Sequence, residues 1–322
     1  MTPFPEQLRA FMLASPRSEA EATRGSPEDY DDRNGYLPDF LGVGSDFLVP
    51  LPLLRVTDDL LQVERAPKER PCELRYQNFS VVMSRSRRLC CITGVNIDGS
   101  APFFHIKRPG WKIDPRIPEK AQVGGTEFYV PTVFDRGHMV RRLDPVWGTE
   151  NIARLANADT HHYTNSCPQV HSFNDMTWGD LEDWILSQER TRESRGSVFT
   201  GPIFQESDPV YEGVKVPVQF YKVVVVIDDD KGQLSVTAFQ MDQSSVMPPQ
   251  PGAPEPRAPF DPGRFSVDQI TLSDLEERSD LDFGKLKDFD VLAAQPIPRS
   301  ILEGAPLRLP LKTTREAVLW AP

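Results

Sequence analysis

Apolar and polar positions along the chain fall into short blocks that change period twice. NFSVVMS (78–84) and LCCITGVNI (89–97) are rich in β-branched residues and flank the polar RSRR, the pattern of a β-hairpin. PFFHI (102–106) and EFYVPTVF (127–134) also have strand-like composition. Between 149 and 192 the period becomes helical. NIARLANADTHHYT and MTWGDLEDWILSQERTRE predict two helices, the second with Trp178, Leu181 and Ile185 on one face. Ser172, with Asp175 three positions on, has the form of a helix N-cap. Strands resume at SVFTGPIF (197–204), FYKVVVVID (220–228) and LSVTAFQM (234–241). Strands, then two helices, then strands predict an α+β protein and not a parallel βαβ series.

The flanks differ from this middle part. Residues 1–35 are polar and predict one short helix in a partly disordered segment. Prolines break the apolar stretch 36–54, which is expected to wrap over the core in extended form. Seven prolines between 244 and 263 predict a loop. The remainder, 264–322, is expected to add a strand and a short helix that close over the main domain. The expected organisation is thus a polar segment 1–35 and a single domain 36–322 with its core at 78–242.

Composition narrows the class. With 322 residues, 39% hydrophobic and 26% charged, the chain has the make-up of a globular protein with a substantial core. No apolar run reaches membrane-spanning length, so no membrane partner is expected. The start lacks a basic stretch followed by an apolar one, which gives the expectation of no signal peptide and a cytoplasmic location. Cys72, Cys90, Cys91 and Cys167 have neither zinc-ligand spacing nor the density of a disulfide framework, and are expected to be reduced. A net charge of −11 argues against a surface that coats nucleic acid, but leaves room for a local basic cleft. Basic residues concentrate at Arg85, Arg87 and Arg88, at Lys107, Arg108 and Lys112, and at Arg136, Arg141 and Arg142. Together these three runs could line a phosphate-binding channel. Phosphate-loop, dinucleotide-binding, serine-hydrolase elbow and HExxH patterns are absent from the sequence.

FDRGHMVRR (134–142) places an acid, three arginines and one of five histidines in nine positions. A histidine there can take a proton from water near neutral pH, and an arginine fork can hold phosphate oxygens. Glycine is expected to let the backbone turn so that His138 faces a cleft. Downstream, Asn165 precedes Pro168 and Gln169, and Asn174, Trp178, Leu181 and Glu182 form N-x3-W-x2-L-E. Eight positions on a helix span about 12 Å, so Asn174 and Glu182 do not easily share a metal's inner shell, although Glu182 could hold its water. An amide oxygen completed by water and substrate oxygens suits Mg²⁺. His161, His162 and His171 are expected to be structural or solvent-facing.

DRGH, N-x2-P-Q and N-x3-W-x2-L-E, in this order, resemble the DNA/RNA non-specific endonucleases, the ββα-metal (His-Me finger) group of the endonuclease G type. The resemblance covers about residues 78–242. It implies a ββα-metal motif on a central, mainly antiparallel sheet, and an enzyme that cuts DNA and RNA to 5′-phosphate products. It implies His138 as general base, Asn174 as the direct ligand of one Mg²⁺ (or Mn²⁺) and Glu182 as a carboxylate acting through water. It further implies Asn165 as a positioning residue, Asp135 as support for the metal's water shell or for the motif's turn, Arg136 as a phosphate contact and Arg108 as the upstream arginine. Where many members continue with an apolar-Ala-Pro sequence after DRGH, this chain has Met139, Val140, Arg141 and Arg142. Homodimers are common in the group. A homodimer and a regulatory or inhibitory partner are therefore carried as expectations, with restraint of activity by residues 1–35 or by the proline-rich loop. The rival readings are a catalytically silent nucleic-acid-binding module of the same fold and a structural zinc protein.

Overall fold

The computed structural model describes residues 25–101, 104–130, 132–174, 179–248, 267–295, 308–311 and 316–317. In chain order its strands are β1 (Leu53–Leu54), β2 (Glu73–Tyr76), β3 (Phe79–Met83), β4 (Cys90–Asp98), β5 (Phe134–His138), β6 (Ser166–Val170) and β7 (Arg195–Ile203), then β8 (Val210–Tyr211), β9 (Val214–Lys215), β10 (Gln219–Asp228), β11 (Gln233–Asp242), β12 (Val267–Ile270), β13 (Leu281–Asp282) and β14 (Arg308–Leu311). The α-helices are α1 (Glu150–Asp159), α2 (Gly179–Arg192) and α3 (Leu272–Arg278). Eight strands form one antiparallel sheet in the order β14-β12-β11-β10-β7-β4-β3-β2. This is the α+β architecture that the block pattern predicts, including the hairpin at 78–97.

The valine run of β10 shows why the sheet is central. Phe220 and Val224 belong to one hydrophobic cluster, while Tyr221, Val223 and Val225 belong to another. Period-2 alternation sends neighbours to opposite faces, so a continuous apolar run marks a strand covered on both sides. The first face carries Met139, Val140, Tyr163, Cys167, Phe173, Leu181 and Ile185, the layer built by β5, β6 and the helices around them. On the other face lie Tyr36, Phe40, Leu41 and Val49 of the extended wrap, with Leu272 and Leu275 of α3. The wrap holds itself in place where the Tyr36 hydroxyl donates to the Val49 carbonyl at 2.7 Å.

Three local expectations fail. EFYVPTVF is not one strand: Gly125–Tyr129 form a π-helical turn, and the strand begins only at Phe134. A short apolar run does not by itself distinguish strand from buried turn, and here burial of Phe128 and Tyr129 decides. Residues 104–106 of PFFHI are irregular, while 102–103 lie outside the described residues. Ser172 is already helical, so it does not cap the helix from outside; its expected partner Asp175, like Trp178, lies outside the described residues. The predicted short helix EQLRAFMLA (6–14) and most of the proline-rich stretch, from 249 onward, also lie outside them. From residue 25 on, the N-terminal segment is anchored: Tyr30 is buried and the Arg33 guanidinium meets Asp159 at 2.7 Å. Among the described residues no helix is long and apolar enough to cross a membrane.

Candidate active site

β5 and β6 pair antiparallel from Phe134↔Val170 to His138↔Ser166, and helical residues follow directly at His171. Gln243, at the end of β11, pins this ribbon to the large sheet. Its amide oxygen accepts from Val170 N at 2.9 Å, and its nitrogen donates to the Pro168 and Pro217 carbonyls at 3.2 and 2.8 Å.

Gly137 has a different role from the expected turn. It lies in regular strand, opposite Cys167. A β-carbon there would fall 2.0 Å from Gln169 Oε1 and 2.3 Å from its Cδ, so glycine is needed because a buried glutamine crosses it. Gly137→Ala is expected to destabilise the protein by about 1–3 kcal/mol, and the Gln169→Ala background should relieve most of that loss. Urea denaturation of the single and double variants checks this; additive losses would contradict the clash.

Asn165 is fully buried and staples the exit of β5 to the segment after α1. Its amide oxygen accepts from Val140 N at 2.8 Å, and its nitrogen donates to the Val140 and Thr160 carbonyls at 2.9 and 3.0 Å. Asp135 gathers the start of the next helical segment: one carboxylate oxygen accepts from His171 Nδ1 at 2.6 Å and from Asn174 Nδ2 at 3.4 Å. With its nitrogen so engaged, Asn174 has its amide oxygen left to offer a cation. Arg136 lays its guanidinium 5.7 Å from the Tyr129 ring and 5.9 Å from the Tyr163 ring.

His138 stands at the end of β5 and belongs to a second group. Its ring lies 4.7 Å from Trp111 and 4.9 Å from His161, centroid to centroid. The residue is partly exposed, yet Nε2 is sealed and has no hydrogen-bond partner among the described residues. Burial of the ring pushes its pKa well below the ordinary histidine value, and neighbouring His161 and the charges of Arg108 and Arg142 act the same way. His138 is therefore neutral at pH 7, the form a base requires. The influence of Arg108 places that arginine in the histidine's neighbourhood. No hydrogen bond or ring contact among those of the described residues joins His138 to Asn174. The two are organised from positions three residues apart on β5, a span of about 10 Å.

Glu182 comes from α2 and is buried against the sheet. Its Oε1 lies 3.3 Å from the ammonium of Lys222 on β10, and its Oε2 lies 3.9 Å from Arg141 Nε. Burial raises its pKa to about 7, opposed by Lys222 and Arg141. Arg141 also donates to the Glu182 carbonyl at 2.9 Å and pairs with Asp183, while Arg142 donates to Asn157 at 3.1 Å. Four arginines of the first and third basic runs are thus engaged within the protein and do not line the expected channel. Arg141 and Arg142 are buried, Arg87 pairs with Asp208 at 2.9 Å and Arg88 with Glu127 at 2.6 Å. Two consecutive arginines in a tight segment are more readily satisfied by carbonyls and carboxylates of the helices they dock than by solvent.

Two functional candidates escaped the sequence reading. Lys222 is 1% exposed between Glu182 and Thr200 Oγ1, the latter at 3.0 Å; its signal was a lone charge inside FYKVVVV. His161 and His162 are both buried, so neither faces solvent. His162 is structural, with Tyr30 at 2.6 Å and the Asp159 carbonyl at 2.8 Å. His161 instead packs on His138.

Among the described residues no three His, Cys, Asp or Glu side chains cluster as a metal cage. The donors at hand are the Asn174 amide and the Asp135 carboxylate. Such an all-oxygen set fits a hard divalent cation that keeps several waters, and does not fit a structural zinc site.

The sequence matches the DNA/RNA non-specific endonuclease family over residues 57–289. An uncharacterized protein of Sinorhizobium fredii, y4fB, is 40% identical over 237 residues, 68% of this chain and 34% of that protein. A protein of Nostoc sp. described as a nuclease is 35% identical over 103 residues, 31% of this chain and 34% of its own length. The chain therefore spans about a third of the length of these curated relatives. The crystal structure of an EndoG/EndoGI complex aligns with TM-score 0.50 and 21% identity, covering 66% of this chain and 85% of that one, which shows a shared fold. The family is one of nucleases that generally depend on a divalent metal. With a matching ββα ribbon, an antiparallel sheet and a family match over most of its length, the chain belongs to the DNA/RNA non-specific endonuclease family.

Proposed function

We propose that this protein is a Mg²⁺-dependent endonuclease that hydrolyses phosphodiester bonds of DNA and RNA without strong sequence preference. One observation carries the reading: a partly exposed histidine at the end of β5, held neutral by burial and by the nearby charges of Arg108 and Arg142. A neutral imidazole beside fixed cations can accept the proton of a water while the cations attract the phosphate under attack. His138 is the general base, and Arg108 and Arg136 supply positive charge for phosphate oxygens. Asn165 fixes the backbone that carries His138 by stapling Val140. Asn174 would offer its amide oxygen as the direct ligand of Mg²⁺ (or Mn²⁺), and Asp135 and Glu182 would hold the ion's water. When bound, the cation neutralises charge on the phosphate and on the departing 3′-oxygen. Breaking the bond to that oxygen leaves a 5′-phosphate.

A homodimer or an inhibitory partner would extend this reading. The EndoG structure that shares this fold was solved as a complex with EndoGI.

Circular DNA and RNA incubated side by side with Mg²⁺ should both be cut, at ends carrying 5′-phosphate, and chelator should stop the cutting. Rates should fall steeply as salt rises, because recognition is of backbone charge. Binding of both substrates without cleavage, in Mg²⁺ and in Mn²⁺, would place the chain instead among silent nucleic-acid-binding modules.

A further inference from the structure

The segment that follows β6 is anchored at two points. Val170 N donates to Gln243, and the buried Phe173 packs on Phe220 of β10 at 5.7 Å between ring centroids. These contacts set where the backbone of Asn174 stands, but not which end of its amide faces outward. An amide turned over about its last torsion keeps nearly the same shape, with NH₂ where the oxygen was. Only the oxygen can ligate a cation, so for Asn174 this turn decides function.

Asp135 selects the turn. An ionised carboxylate only accepts, and Oδ2 takes the Asn174 Nδ2 at 3.4 Å, which draws the amide nitrogen towards Asp135 and leaves the oxygen on the other side. That carboxylate is itself a rotor on a side chain 27% exposed to solvent. An imidazole pins it: His171 Nδ1 lies 2.6 Å from the same Oδ2. Because the carboxylate cannot donate, Nδ1 carries the proton, whether the ring as a whole is neutral or charged.

We propose that His171 is a positioning residue for the cation site: through Asp135 it keeps the Asn174 amide turned with its oxygen available to a divalent ion. The inference rests on Asn174 being the direct ligand. It gives a role to a half-exposed imidazole that neither DRGH nor N-x3-W-x2-L-E contains.

Mn²⁺ binding in the absence of nucleic acid, followed by electron paramagnetic resonance of the free ion, tests this apart from activity. His171→Ala should raise the Mn²⁺ dissociation constant by about 10-fold, the lower end of the loss that follows when the support of a metal ligand is removed. Tm should stay near that of the unsubstituted protein, because the lost bond lies at the surface. The Mg²⁺ concentration for half-maximal cleavage should rise by a similar factor, and higher Mg²⁺ should bring the rate back. His171→Asn places its Nδ2 donor where the imidazole Nδ1 stood and should recover most of the affinity. Asn174→Ala should weaken Mn²⁺ more than either. Unchanged affinity in His171→Ala beside weakened binding in Asn174→Ala overturns the positioning role and leaves the ligand reading standing. Unchanged affinity in Asn174→Ala overturns the ligand reading, and this inference with it. Equal weakening in His171→Asn and His171→Ala overturns the hydrogen bond as the cause.

Discussion

His138→Ala is expected to lower the cleavage rate by about 10²- to 10⁴-fold, while melting temperature and binding of uncut nucleic acid stay close to those of the unsubstituted protein. The size follows from what is removed. General-base catalysis is lost, but Arg108, Arg136 and the Asn174–Asp135 group remain, so substrate attraction and cation binding persist. Stability is spared because the imidazole makes no hydrogen bond through Nε2 and contributes chiefly its packing on Trp111 and His161. The low pKa of His138 adds a signature. The base is already deprotonated well below pH 7, so kcat should not fall with a histidine-like midpoint near 6.5 as the medium is acidified. Cleavage at an undiminished rate by His138→Ala would remove the imidazole from the chemistry.

Lys222→Met is expected to cost about 3–5 kcal/mol of stability at pH 8 and much less at about pH 5. The ammonium lies 3.3 Å from Glu182 and 3.0 Å from Thr200 Oγ1, inside the apolar layer that joins α2 to β10. Methionine matches its length but leaves the carboxylate to Arg141 alone. The sign with pH follows from Glu182. Its folded pKa, about 7, lies above its unfolded value near 4.5. Folding therefore takes up a proton between those limits, and the contribution of Glu182 to stability falls as pH rises through them. Removing Lys222 raises the folded pKa further, so the variant goes on losing stability above pH 7, where the unsubstituted protein has levelled. Urea unfolding at both pH values reads the difference directly. Equal losses at pH 5 and pH 8 would mean that the lysine acts by packing and not by charge. Because α2 carries Glu182, the same variant should also bind Mg²⁺ more weakly at neutral pH.

Much of this molecule was legible before folding. Hairpins, turns and the valine-rich strands depend on neighbours within a few positions, and period-2 alternation or a continuous apolar run survives in the sequence. DRGH and N-x3-W-x2-L-E are also local, and their order along the chain was enough to point to the family. What failed was local too, but ambiguous. Short apolar runs such as EFYVPTVF take strand or turn geometry according to what covers them, here burial of Phe128 and Tyr129.

By itself, the sequence determined the α+β order of elements and the family, because each is written in short-range pattern. Only the tertiary structure decided that Gly137 serves a crossing Gln169, that Arg141 and Lys222 clamp Glu182, and that His161 stacks on His138. Those pairings join residues far apart in the chain, and a side chain's partner, burial and proton are properties of the space that the fold closes around it.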